Sequence, residues 1–341
     1  MKAQDYINKL NTQNLSQILY KYPITADFLA NYRIENVSKE LPVSEAFSNI
    51  NPEILEEFGL DSYELLQNLS LFLENLTETE SSSIHKVSTI TILGGVNKLK
   101  EPENISLTIY PGEVISIVGP TGSGKSRLLN DIECLAQIDT PTGREILING
   151  EPIDEDQRFQ LDGKLVAELS QNMNFVMDLT VFQFLQMHAK SRLTPNANEV
   201  IEKCFLCANQ LTGEQFYKDT KVTQLSGGQS RALMISDTAH MSNSPIVLID
   251  EIENAGIDRR KAITLLAKKE KIVFVSTHDP LLALSSDKRI VIKNGGIHKV
   301  IQTSDEERES LTSIEKFDNI LLRLRNNLRT GEIITKDLLT L

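Results

Sequence analysis

Eight consecutive residues, Gly119-Pro-Thr-Gly-Ser-Gly-Lys-Ser126, have the types that a polyphosphate requires of a protein. Gly122 and Gly124 let backbone N–H groups turn inward around an anion, and a helix starting at Lys125 adds the partial positive charge of its N-terminus. Lys125 is expected to reach the β- and γ-phosphates of a nucleoside triphosphate, and the Ser126 hydroxyl to ligate Mg²⁺. The candidate nucleotide contacts are therefore Gly119, Pro120, Thr121, Gly122, Ser123, Gly124, Lys125, Ser126 and Arg127. A flexible Gly-Ser turn is the bland alternative, and the complete pattern between a strand and a helix speaks against it.

Two further groups carry chemistry. Ile246-Val-Leu-Ile-Asp250-Glu251 is an all-apolar run ending in two carboxylates. It suits a strand buried on both faces whose acids emerge at the phosphate end. Asp250 is then expected to hold Mg²⁺ through water and Glu251 to polarise the attacking water, roles that imply hydrolysis beyond binding. In Leu225-Ser-Gly-Gly-Gln229, Ser226 offers a hydroxyl, while Gly227 and Gly228 permit close backbone approach at a helix N-terminus. Alone, such a segment is an ordinary helix cap.

The elements that must position these residues are legible in the hydrophobic pattern. Strands are expected over Ser88–Leu93, Ile105–Tyr110, Val114–Val118, Ile246–Ile249, Ile272–Ser276 and Arg289–Ile292. Helices are expected from Lys125 to about Ala136, over Val181–Ala189 and over Glu199–Leu211. This alternation implies an α/β fold with a mostly parallel sheet. From Asp5 to about Leu76 the apolar residues recur at helical steps, punctuated by Pro23, Pro42 and Pro52, with Asn51-Pro52-Glu53 a helix start. Thr77-Glu-Thr-Glu-Ser-Ser-Ser83 reads as a linker, so residues 1–76 form a small all-α docking domain and 77–87 the connection. In a C-terminal extension, residues 301–341, the positions Ile314, Phe317, Leu321, Leu324 and Leu328 step by three and four. They line either a helix packed on its own domain or a dimer seam.

From about residue 86 to 300 the chain resembles an ATP-binding-cassette (ABC) ATPase, a P-loop NTPase, and the pentad Leu225–Gln229 about two dozen residues before Asp250 is the most specific sign. The resemblance implies a domain over 88–300 with a helical subdomain near 172–224. It also implies that two cassettes stack head to tail, with Ser226, Gly227, Gly228 and Gln229 of one capping the γ-phosphate held by the glycine loop of the other. Three further positions match by resemblance. Gln171, in Glu168-Leu-Ser-Gln171, is similar to the glutamine that senses Mg²⁺ and water. Asp258 is similar to the aspartate that crosses the dimer interface, and His278 to the switch histidine at the γ-phosphate.

The departures bear on role. Ile252-Glu-Asn-Ala-Gly256 follows Glu251 where family members usually carry a proline, and Arg231 stands one position nearer the pentad than in transport cassettes. Val96 and Lys98 occupy the region where transport cassettes stack an aromatic ring on adenine. Leu15-Ser-Gln-Ile-Leu-Tyr-Lys-Tyr-Pro23, followed by Ala26–Ile34, is similar to small helical domains of anaerobic iron–sulfur and redox proteins, without their cysteines.

Composition narrows the classes. The net charge is −12, of which residues 1–80 hold about −8 (5 basic against 13 acidic), so nucleic acid is a poor partner. No run of roughly twenty apolar residues occurs and the first residues lack a secretion signal, from which a cytoplasmic location is expected. Three cysteines argue against a disulfide framework. The pair Cys204-Phe-Leu-Cys207, with no second pair and on a helical pattern, reads as packing before metal binding. The chain is thus expected to hydrolyse Mg-ATP as a homodimer and to drive a conformational change in a partner protein, a soluble client or metalloenzyme being favoured. The alternative is an ATP-binding subunit of a membrane transporter with a separately encoded permease.

Overall fold

In the computed structural model, the residues described are 3–22, 24–34, 36–82, 87–153, 158, 165–170, 175–192, 194–252 and 257–334. Six helices come first: α1 (Ala3–Thr12), α2 (Leu15–Lys21), α3 (Thr25–Asn31), α4 (Val43–Ser48), α5 (Pro52–Glu56) and α6 (Ser62–Ser82). They close around their own core, in which Leu10, Leu15, Ile18, Phe47, Leu65, Leu69 and Leu73 are buried. Asn51 caps α5 through its side chain, accepting from the Glu53 N–H at 3.2 Å, with Pro52 at the first helical position. One expectation is corrected here: α6 runs through Ser82, so the stretch expected to be linker from residue 77 is helical for six residues more. Thr, Glu and Ser lower helix propensity by only tenths of a kcal/mol each, and extending an existing helix avoids the nucleation cost.

Two sheets follow. The smaller is antiparallel in the order β2-β1-β4-β5, built from β1 (Ile90–Leu93), β2 (Ser106–Ile109), β4 (Glu145–Ile148) and β5 (Glu151–Pro152). The larger has the order β10-β9-β3-β8-β7-β6, from β3 (Val114–Val118), β6 (Val166–Leu169), β7 (Ile246–Asp250), β8 (Ile272–Ser276), β9 (Lys288–Lys293) and β10 (Gly296–Gln302). All its pairings are parallel except that of β9 with β10. Every residue of β8 is buried, as are the first four of β7, because helices cover both faces. Each such aliphatic side chain contributes about 1.5–3 kcal/mol.

On one face α7 (Lys125–Glu133) packs with both sheets through Leu128, Leu129 and Ile132. The other face carries α10 (Gly227–His240) and α11 (Arg259–Lys268). The helical subdomain, α8 (Val181–Ser191) and α9 (Ala197–Leu211), has a separate core that includes Phe184, Leu185, Ile201 and Cys204 and shares Leu233 and Met241 with the α10 segment. Since α10 is buried nearly all round, it joins the two cores mechanically. A short α12 (Pro280–Ser285) and a long α13 (Asp305–Thr330) complete the chain. Among the described residues no helix is long and apolar enough to cross a membrane.

Candidate functional site

The register of the large sheet brings three distant segments to one edge. Ile117 of β3 and Asp250 of β7 both lie opposite Ser276 of β8. The chain therefore leaves three neighbouring strands at the same level, as Gly119–Gly124, as Asp250-Glu251 and as Thr277-His278. A crevice beyond the carboxyl ends of parallel strands is where open α/β sheets place ligands.

The glycine loop leaves β3 and enters α7 through Gly124, which caps the helix at φ 110°. A Cβ at Gly124 would stand 2.8 Å from Gly295 Cα, and one at Gly119 would stand 2.6 Å from Ile292 O, so both positions exclude larger residues. Lys125 is buried and folds back over the loop, donating to Gly119 O at 3.0 Å and standing 2.9 Å from His278 Nε2. An ammonium has no acceptor, so Nε2 accepts in this pair. Lys125 and His278, remote in sequence, thus meet where a γ-phosphate is expected. Ser123 Oγ is buried and has no partner among the described residues. An orphaned hydroxyl costs about 1–3 kcal/mol, which a phosphate oxygen entering the loop offsets, so the cradle fits its expected ligand. Ser126 and Arg127 are exposed beside it.

Behind the loop stands a buried cluster that local sequence does not reveal. Arg144 is fully buried and bonds Glu103 at 2.5 and 3.0 Å, Asp131 of α7 at 2.7 Å and Gly295 O at 3.2 Å. Gly295 N in turn donates to Ser123 O at 2.7 Å, and Lys98 Nζ to Gly122 O at 3.3 Å. Burial pushes the Glu103 carboxyl up, but the Arg144 bonds and charge, with the Ile297 and Gly95 N–H groups, outweigh it and hold it below the usual range. Pro-Thr-Gly-Arg144 looks like a surface turn in sequence, and only the long-range partners betray its role.

Asp250 and Glu251 are half-buried, and Glu251 sits in the left-handed region at φ 48°, a conformation that costs about 1–3 kcal/mol outside glycine. Its backbone is held on both sides: its N–H donates to Ser276 O at 3.1 Å, and its C=O accepts from Arg231 of α10 at 3.1 Å. Gln171, expected to join this group, lies outside the described residues, as does the unusual Glu253–Gly256 segment.

The pentad is placed elsewhere. Ser226 caps α10, accepting from Gln229 N–H at 3.3 Å while Gln229 Oε1 accepts from Ser226 N–H at 2.9 Å. Gln229 Nε2 also donates to Glu214 O at 3.2 Å. Ser226 and Gly227 are exposed, and the side-chain bonds of the pentad run within its own cap and to Glu214. Asp258 caps α11, accepting from Lys261 N–H at 3.1 Å. Burial raises its carboxyl, but the bonds to Lys261 and the charges of Lys261 and Arg260 win and lower it. The next residue, Arg259, pairs with Asp279, the neighbour of His278, and with Asp318 of α13 at 3.6 Å. Cys204 is buried in the subdomain core, which pushes its thiol up to about 12, and no group of three or more metal-ligand side chains occurs among the described residues.

A strand, glycine loop and helix beside a strand ending in paired carboxylates define a P-loop nucleoside triphosphatase. Comparison with known proteins is more specific. The family model described as ABC transporter matches residues 102–254. An uncharacterized ABC transporter ATP-binding protein of Methanocaldococcus jannaschii, MJ0121, is 51% identical over 253 residues, which are 74% of this chain and 97% of that protein. The macrolide export ATP-binding/permease protein MacB of Aggregatibacter actinomycetemcomitans is 30% identical over 66% of this chain, but the match spans 35% of MacB. Among solved structures, cbiO1 from Clostridium perfringens, part of the ABC transporter complex cbiONQ, shares the fold with a TM-score of 0.50 at 23% identity, covering 72% of this chain and 98% of that one. The chain belongs to the ATP-binding-cassette ATPase family: it binds ATP and hydrolyses it.

Proposed function

We propose that the chain is the ATP-binding subunit of an ABC membrane transporter, powering a permease encoded separately. What carries this reading is the near-complete coverage of a relative named as an ABC transporter ATP-binding protein. The relatives favour this role over the soluble remodelling role that the segment after Glu251 and the added N-terminal helices had favoured in the sequence. Three exposed apolar side chains support a receiving surface for a permease: Val176 and Met177 just before α8 and Phe182 in its first turn.

In this reading two copies stack head to tail with two ATP between them. Lys125 and the loop N–H groups bind the β- and γ-phosphates, the Ser126 hydroxyl and Asp250 carboxylate hold Mg²⁺ with Gln171, and Ser226 of the second copy closes over the γ-phosphate. Magnesium, when bound, neutralises charge on the transferred group. Glu251 takes hydrogen-bond donation from the attacking water, whose oxygen bonds to the γ-phosphorus as the bond to ADP breaks, and His278 contacts the departing phosphoryl group. Each charge-assisted bond to the γ-phosphate contributes about 1.5–3 kcal/mol, so losing several reopens the dimer. The motion reaches the subdomain through α10, whose Arg231 grips the Glu251 carbonyl. The N-terminal helices add an acidic docking module for a protein partner, and the subunit works at the inner face of the membrane.

The test is a capture experiment with Glu251→Gln, which traps the closed state. A polytopic membrane protein recovered in stoichiometric amount from native membranes is expected. A soluble client recovered from cytosol instead, with no membrane protein, would end the transporter reading.

A further inference from the structure

Helix α13 carries more apolar surface than the described residues of its own chain cover. One edge is fastened to the ATPase body by ion pairs: Glu307 to Arg289, Arg308 to Asp287, Glu315 to Arg260 and Asp318 to Arg259. Round the helix from that edge, Phe317 is 55% exposed, Leu321 51% and Leu328 64%, with Leu324 half-buried between them. Their spacing of four, three and four residues keeps one seam facing one way, the repeat of a two-helix coil and narrower than the stripe of a helix that beds into a globular core.

Charge along the helix indicates what covers the seam. Residues 305–318 carry six acidic and two basic side chains, whereas residues 319–330 carry three arginines and no acid. A parallel partner of the same kind would set like charge against like. An antiparallel copy sets the acidic half of one helix against the basic half of the other, and it places Phe317 across from Leu328 and Leu321 across from Leu324 in alternating layers.

The location is also right for a second copy. Asp318 is held by Arg259, which follows Asp258 and grips Asp279 beside His278, so α13 is fastened to the segments that face the second protomer in the proposed nucleotide sandwich. We infer that the Phe317–Leu328 seam of α13 pairs antiparallel with the same seam of a second copy of this chain, giving a dimer that persists without nucleotide. The location argument draws on the head-to-tail reading above, but the pairing itself needs no ATP. Its consequence is that hydrolysis opens the ATP sites without releasing the protomers.

The experiment is sedimentation velocity on the full chain in EDTA without nucleotide, at micromolar to tens of micromolar protein. A dimer is expected, and Phe317→Glu with Leu321→Glu should halve the molar mass while leaving ATP binding and circular dichroism unchanged. The same pair of substitutions in a Glu251→Gln chain should still dimerise on adding Mg-ATP, which separates failure of the seam from failure of the nucleotide sandwich. Orientation is read by disulfide cross-linking in a Cys134→Ser background. Phe317→Cys chains mixed with Leu328→Cys chains should cross-link, and Phe317→Cys alone should not. A monomeric wild-type chain, a dimer indifferent to the double substitution, or cross-linking of Phe317→Cys with itself would overturn the inference.

Discussion

The glycine loop is clamped from behind by Arg144, Gly295 and Lys98, with a buried ion-pair cluster as its foundation, whereas the pentad is held mainly by its own capping box and faces solvent. In the proposed sandwich both segments contact the same phosphate, yet one is built rigid and the other is left open. The contrast shows a cradle organised before its ligand arrives, and in the proposed sandwich the lid is then supplied by a second body. A second contrast points the same way. Glu251, between the two, is strained and held through its backbone by α10, the helix the pentad begins.

The largest effect should come from the cradle. Lys125→Ala removes the cation that meets His278 where the γ-phosphate is expected, and nucleotide binding measured by fluorescence should vanish at concentrations that saturate the wild type. Binding at wild-type affinity would remove Lys125 from the site. On the lid, Ser226→Arg should leave binding intact and lower steady-state ATP turnover by about 10²-fold or more, as loss of transition-state donors does in other enzymes. Turnover at the normal rate would break the contrast between the halves.

The foundation is tested by Arg144→Met, which strands Glu103 and Asp131 with buried charge. Breaking such a pair costs about 3–5 kcal/mol, to be read as a lower urea midpoint at pH 7. An unchanged midpoint would show that the cluster does not anchor the loop. The smallest effect is one of pH. Burial, with the charges of Arg192 and Lys269, lowers the Lys271 ammonium to about 8 from 10.5. The unfolded chain therefore binds the extra proton between these values, so this group's contribution to stability is present above about 10.5 and is lost as pH falls to 8. Lys271→Met should flatten the rise in stability between pH 8 and 10 by up to about 1.4 kcal/mol per unit, measured against wild type by urea titration.

What could be read in the sequence was mostly what is local. The strand before the glycine loop, β3 at Val114–Val118, and β8 at Ile272–Ser276 emerge with the expected bounds because short runs rich in Val and Ile between turn residues have few other uses. The helix starts at Lys125 and Val181 are set by a loop glycine and a capping threonine. Strands β4 and β10 were not legible: one is four residues long after a turn, and the other begins at Gly296 and carries His298 and Lys299. The continuation of α6 past Leu76 was missed because composition marks a flexible segment, while propagation from a nucleated helix tolerates the same residues. The meeting of Lys125 with His278 follows from sheet register, which no local pattern encodes, and the partners of Arg144 are remote in the same way.

The claim that one molecule's cradle and another's lid share a triphosphate is tested most directly by a structure of the Glu251→Gln chain with Mg-ATP. The account predicts two chains related by a two-fold axis, each Ser226 hydroxyl within hydrogen-bonding distance of the γ-phosphate bound by Lys125 of the other. A chain that holds Mg-ATP on Lys125 with every pentad turned to solvent would contradict it.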